Sequence, residues 1–136
     1  MTLRLCDATD TGWVDVPSAT RHGVLDATTD IRQIRAWWRA NPKYNVGLAT
    51  GYQFDALDVD IKDGRRGRES LAALRDAGLI GGAWALASTP SGGCHVLFDP
   101  SGDGNHVSRA TGLDFRGRGG LSLQRLLSPT LAAIDG

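Results

Sequence analysis

Two hydrophobic periods alternate along this chain. In the first, Ile31, Ile34, Trp37 and Trp38 recur at helical spacing, with Arg32, Arg35 and Arg39 mostly on the other faces. Asp30 precedes them as a residue able to accept backbone N–H bonds at an N-cap, and Asn41-Pro42 ends the run. The second period follows. Val46 and Leu48 alternate within 45–50, a turn is expected at Gly51, and 54–61 reads as a strand. After a loop at 64–67, Leu71, Leu74 and Ala77 predict a helix over 68–77, with Gly78 suited to its C′ position. Strands are expected over 84–88 and 94–98, joined by a turn at 89–93, and again over 111–116 before a turn at 117–120. Residues 99–109 read as a polar loop. Residues 1–21 show no clear period beyond a short strand around Trp13, Val14 and Val16, and Leu123, Leu126 and Leu127 look helical. Strands mixed with helices, joined by helical crossovers and a hairpin, predict an α+β sandwich.

Composition narrows the class. A chain of 136 residues, 41% of them apolar, suits one domain with a real core. Its 18 glycines cluster where the pattern already asks for turns. Lysine plus arginine and aspartate plus glutamate are 15 each, so the net charge is zero, which argues mildly against tight DNA binding by this piece alone while leaving room for a local basic groove. Cys6 and Cys94 stand far apart without metal spacing and read as reduced thiols. No apolar run reaches the ~20 residues of a membrane span, and the start lacks a signal-peptide pattern. The expectation is a soluble, cytoplasmic protein without membrane contact.

Three segments carry candidate chemistry. In Leu57-Asp58-Val59-Asp60-Ile61, strand alternation places Asp58 and Asp60 on one face and the apolar residues on the other. Two carboxylates so close repel each other unless a cation lies between them, and such hard oxygen sites suit magnesium or manganese. A strand end with solvated acids is the plainer alternative. Ser88-Thr89-Pro90-Ser91-Gly92-Gly93-Cys94-His95 is a turn dense in hydroxyls and backbone N–H groups able to bind phosphate oxygens, with His95 opening the next strand. A surface hairpin with an incidental histidine competes with that reading. In Gly112-Leu113-Asp114-Phe115-Arg116, a single acid sits in an apolar strand and needs a partner. A metal would supply one; a structural Asp114–Arg116 pair is the competing account. Arg116 and Arg118 also suit phosphate charge.

Weaker signals favour plain readings. Lys62, Arg65, Arg66 and Arg68 read as a solvated loop before they read as a guide for a nucleic-acid strand. Trp37 and Trp38 read as core before they read as a base-stacking platform. His22 and His106 have no visible partners.

In this order the segments resemble the bifunctional primase–polymerase domain of the archaeo-eukaryotic primase superfamily, found in plasmid, phage and mobile-element replication proteins. The likeness runs over roughly 22–120 through His22-Gly23, Asp26-Ala27-Thr28, Asp30, Ile34, Trp37-Trp38, Pro42, Asn45-Val46-Gly47-Leu48-Ala49-Thr50-Gly51, Leu57-Asp58-Val59-Asp60, Thr89-Pro90-Ser91-Gly92-Gly93-Cys94-His95 and Gly112-Leu113-Asp114-Phe115-Arg116-Gly117. The resemblance implies a primase–polymerase catalytic core of mixed or antiparallel sheets with flanking helices. It implies templated nucleotidyl transfer by a DNA-directed enzyme, with Asp58, Asp60 and Asp114 binding two divalent ions, Mg2+ or Mn2+. His95 would contact the incoming nucleotide, with Ser91, Gly92, Gly93 and Arg116 completing a nucleotide-binding set. Nucleoside triphosphates and a DNA template are the implied partners, with a helicase or helical accessory domain on another chain.

Residues 1–21 and 121–136 depart from the family pattern, which normally opens with a helix and a strand and continues after the last glycines as an apolar strand. The expected organisation is an irregular segment over 1–21, the core over 22–120 and a divergent tail over 121–136, in a truncated or frame-shifted copy. Two alternatives stand beside the polymerase: a non-catalytic remnant or nucleotide- or DNA-binding module, and a metal-dependent phosphohydrolase using the same acids.

Overall fold

Helix α1 (Ile31–Ala40) begins where its first orphan N–H groups find an acceptor, the Asp30 carboxylate taking a bond from the Arg32 N–H at 2.9 Å. Such a cap is worth about 1 kcal/mol. The helix closes at Asn41, whose N–H reaches the Trp37 carbonyl. No α1 residue is fully buried; Trp37 and Trp38 are half-exposed, so the core role expected of them is only partly met. The structure is a computed structural model that describes residues 3–6, 21–42, 45–89, 91–108 and 111–124. The strand expected around Trp13, Val14 and Val16 lies outside the described residues.

Among the described residues, eight strands and a second helix complete the architecture: β1 (Leu3–Cys6), β2 (Asn45–Ala49), β3 (Asp55–Val59), α2 (Gly67–Asp76), β4 (Ala85–Ser88), β5 (Cys94–Phe98), β6 (His106–Ser108), β7 (Leu113–Arg116) and β8 (Leu121–Gln124). They form two antiparallel sheets, one ordered β1-β2-β8 and one ordered β4-β5-β3-β7-β6. The fold is α+β.

Register on β3 decides which side chains meet. Asp58 stands opposite His95 on β5 and Asp114 on β7. Ala56 stands opposite Leu97, which in turn faces Ala85, so these apolar residues share the acids' face. With Phe54 they form a buried cluster against which Leu48 of the small sheet packs. The apolar core is therefore not confined to the face opposite the acids. Val59 and Val96 are buried on that opposite face as well, and the large sheet is covered from both sides.

Thr50 joins the two sheets. It is fully buried, its hydroxyl donates to the Gly117 carbonyl at 2.7 Å, and its N–H donates to the Gly120 carbonyl at 3.1 Å. Asp55, also fully buried, accepts from the N–H and the hydroxyl of Ser101, both at 2.7 Å, and so ties down the segment after β5.

Three expectations need correction. Residues 99–109 are not wholly loop, because His106–Ser108 pairs with β7. Leu121–Gln124 is a strand, not the start of a helix, and pairs with β2 from Val46↔Gln124 to Ala49↔Leu121. Within 1–21, Leu3–Cys6 forms an edge strand on β2. In each case pairing with a neighbour overrides a weak local pattern.

Candidate active site

The site occupies one face of the large sheet, where β5, β3 and β7 lie side by side. Cross-strand pairing puts Asp58 and Asp114 directly opposite each other, an arrangement that normally leaves side chains about 4.5–5.5 Å apart at Cβ. Asp114 is only 8% exposed. Two facing carboxylates destabilise a sheet unless positive charge lies close. Here that charge is Arg116, whose guanidinium lies 3.2 Å from Asp114 Oδ2 and 3.8 Å from Asp58 Oδ2. Arg116 follows Asp114 by two residues and so shares its face. Asp114 Oδ1 accepts the Ser108 N–H at 3.1 Å.

On the other side of Asp58 stands His95, 7% exposed, with Nε2 3.4 Å from Asp58 Oδ1. Its Nδ1 lies 3.0 Å from the hydroxyl of Ser122 on β8, a residue 2% exposed. Burial alone would raise the Asp58 pKa. The hydrogen bond and charge of His95 oppose it, joined by Arg116 and Arg65, and together they hold the carboxyl below its ordinary 3.8. Burial pushes the Cys94 thiol up, the Asp58 charge adds to this, and Arg68 opposes it, so Cys94 stays a protonated thiol beside the site.

Asp60 lies just past the end of β3. Its N–H bonds the Gly112 carbonyl at 2.8 Å, which ties it to the start of β7. Its carboxylate accepts the Lys62 N–H at 2.9 Å and pairs with Arg65 at 3.0 Å. Two glycines make this junction. A Cβ on Gly67 would lie 2.4 Å from the Asp60 carbonyl oxygen, and Gly112, at φ 69°, leaves no room for one either. Among the described residues, no three His, Cys, Asp or Glu side chains converge as a ready cluster for a metal ion. The donors themselves, carboxylates with hard oxygens, are the type that magnesium and manganese take. Asp58 and Asp114 face each other, and Asp60 is turned toward Arg65.

The hairpin turn between β4 and β5 is held from within. Thr89 Oγ1 and Ser91 Oγ lie 3.0 Å apart, and the Gly92 N–H donates to the Thr89 carbonyl at 3.0 Å. Arg68, from α2, donates to the Gly92 carbonyl at 3.0 Å. Gly93 is buried because its Cα passes so close to β3 that a Cβ would lie 2.2 Å from the Val59 carbonyl oxygen. Of the basic cluster, Arg65 and Arg68 thus have structural partners. His22 does have a partner, Asp26 Oδ1 at 3.0 Å, and is exposed. His106 is exposed on edge strand β6.

The sequence pattern brought forward Asp58, Asp114, His95 and Arg116, and the sheet gathers these four. It passed over Ser122, and it gave no site role of their own to Arg65, read as part of a solvated basic cluster, or to Thr50, inside the segment 45–51. Nothing local marks the partners of either. Ser122 fell in the stretch set apart as a divergent tail.

The chain matches the family model for bifunctional DNA primase/polymerase, N-terminal, over residues 8–132. It belongs to that family. The match extends past 22–120 on both sides and takes in β8. The family is one of DNA primase/polymerase-type nucleotidyl transfer in DNA replication, acting on nucleotides and DNA, and its enzymes typically use divalent metals. No curated protein and no solved structure matches the chain. Among the described residues, no helix is long and apolar enough to cross a membrane.

Proposed function

We propose that this chain is a template-dependent nucleotidyltransferase, the primase–polymerase core of a plasmid, phage or mobile-element replication system. The observation that supports this most is the row His95–Asp58–Asp114 across three adjacent strands, in a chain of this family. Asp58, Asp60 and Asp114 would hold the divalent ions, Mg2+ or Mn2+, which when bound supply activation of a primer 3′ hydroxyl and neutralise the departing pyrophosphate. The chain's own side chains do the rest. His95 presents Nε2 on the acids' face and donates a hydrogen bond to a phosphate oxygen of the incoming nucleotide. Arg116 carries a guanidinium beside Asp58 and Asp114 that would meet triphosphate charge. Ser91, Gly92 and Gly93 border the triphosphate at the mouth of the hairpin. Asp114, buried and tied to the Ser108 N–H, holds its carboxylate in place. A helicase or helical accessory domain on another chain would present the template.

One observation favours a second reading. Arg116 already bridges Asp58 and Asp114, and Arg65 already pairs with Asp60. Acids satisfied by arginines suit a non-catalytic module that binds nucleotide or DNA without turning it over. Extension of a labelled primer on a template, with Mg2+ or Mn2+, separates the two. Incorporation by the wild type that disappears in Asp58→Ala supports the polymerase. Nucleotide binding without incorporation supports the module, and nucleotide breakdown that needs no template points to a phosphohydrolase.

A further inference from the structure

We propose that Ser122, on the small sheet, is a positioning residue for His95: its hydroxyl holds the imidazole in one orientation, with Nε2 toward Asp58. The inference rests on the nucleotidyl-transfer reading for what His95 does, but not for how His95 is held. The two ring nitrogens face different partners. Nε2 lies 3.4 Å from Asp58 Oδ1, and Nδ1 lies 3.0 Å from Ser122 Oγ. An ionised carboxylate only accepts, so the nitrogen facing Asp58 carries the hydrogen. In a neutral ring the other nitrogen is then an acceptor, and Ser122 must be its donor. A serine hydroxyl can rotate to fill that role, whereas a backbone amide has no such freedom.

Ser122 reaches His95 because of register. It pairs with Leu48, the residue of β2 that packs on the Phe54–Ala56–Ala85–Leu97 cluster, so both point at the large sheet. On a strand set among apolar neighbours, a buried hydroxyl is costly unless bonded, and His95 is a bond partner across the two sheets. Thr50 fixes the approach two residues upstream, since its N–H donates to the Gly120 carbonyl at 3.1 Å. The three-stranded sheet contributes none of the acids. It sets the ring through which the large sheet meets the nucleotide. An imidazole free to turn would present Nδ1 or Nε2 to the phosphate at random and lose part of its contribution to transfer.

The test is nitrogen-15 NMR of the imidazoles in the full chain, at a pH where the rings are neutral, with His95→Gln used to assign the His95 signals. In the wild type, the neutral His95 ring carries its proton on Nε2, and Nδ1 shows the signal of a hydrogen-bonded acceptor. A wild-type ring protonated on Nδ1 overturns the proposal without any variant having to fold. In Ser122→Ala, the Nδ1 signal moves away from that of a hydrogen-bonded acceptor as the ring loses its fixed orientation. Unchanged His95 signals in a folded Ser122→Ala overturn the proposal as well. Primer extension by Ser122→Ala should show kcat/KM reduced about tenfold, the scale of one lost hydrogen bond. A wild type with the stated ring signals but no incorporation refutes the nucleotidyl-transfer reading and supports Ser122 as the group that sets the ring.

Discussion

The two sheets of this molecule divide their work unequally. The five-stranded sheet carries Asp58, His95, Asp114 and Arg116 within one row and its neighbour. The three-stranded sheet carries no acid of the site. It supplies Leu48 to the core, with Thr50 at its margin as the junction and Ser122 against His95. One sheet holds the proposed reacting groups, and the other meets them through Leu48 and Ser122. Changes in the first should remove activity in a protein that still folds, whereas changes at the junction should lower stability or loosen the site before they remove chemistry.

The largest separation is expected from Asp58→Ala. It deletes the carboxylate at the centre of the row, and incorporation should fall by about 10³-fold or more, the scale for a group acting in the transition state. Thermal unfolding measured beside it should change little, because Asp58 is part-exposed and its ion pairs with His95 and Arg116 are long, at 3.4 and 3.8 Å. A parallel fall in melting temperature would mean that Asp58 belongs to the framework.

Gly93→Ala probes the opposite case within the large sheet. Its Cβ would lie 2.2 Å from the Val59 carbonyl oxygen, so β3 and β5 must part. A loss of roughly 2–4 kcal/mol is expected, read from chemical denaturation. Wild-type stability would show that the hairpin can shift away from β3 at little cost.

Thr50→Val tests the junction. The substitution keeps the shape, removes the donor and leaves the buried Gly117 carbonyl without that bond. It should cost about 1–2 kcal/mol, with incorporation at saturating nucleotide less affected than stability. If incorporation collapses while stability holds, the small sheet takes part in chemistry beyond positioning.

The smallest effect concerns pH. The folded Asp58 pKa is lowered from 3.8, so the unfolded chain binds the proton more readily. The contribution of Asp58 to stability is therefore complete above about pH 4 and is lost as pH falls through the lowered folded value. In Asp58→Asn, the dependence of the unfolding midpoint on pH should flatten in that acid range. An unchanged profile would assign the acid sensitivity to other carboxylates.

The large sheet was legible in the sequence, and the small one mostly was not. Asp30 and its helical run announced α1, and alternation around Asp58 and Asp114 announced β3 and β7, because a half-buried strand writes its faces into its residues. Ser122 broke that rule. A polar residue faces inward on β8, and the leucines beyond it suggested a helix. β6 is three residues with two of them exposed, too short to carry a pattern. At the site, residue types and spacing singled out the acids and His95, which the sheet brings onto adjacent strands. Spacing could not reveal that Arg65 would turn Asp60 aside, or that a residue 27 positions away would hold His95, since both depend on where distant segments come to rest.

Calorimetric titration of the metal-free chain with Mn2+ is the most direct test that these acids act together as a cation site. The account predicts saturable binding to the wild type that is lost in Asp58→Ala and in Asp114→Ala, each shown to be folded. Binding of equal strength in all three proteins, or none in the wild type even with nucleotide present, would contradict it.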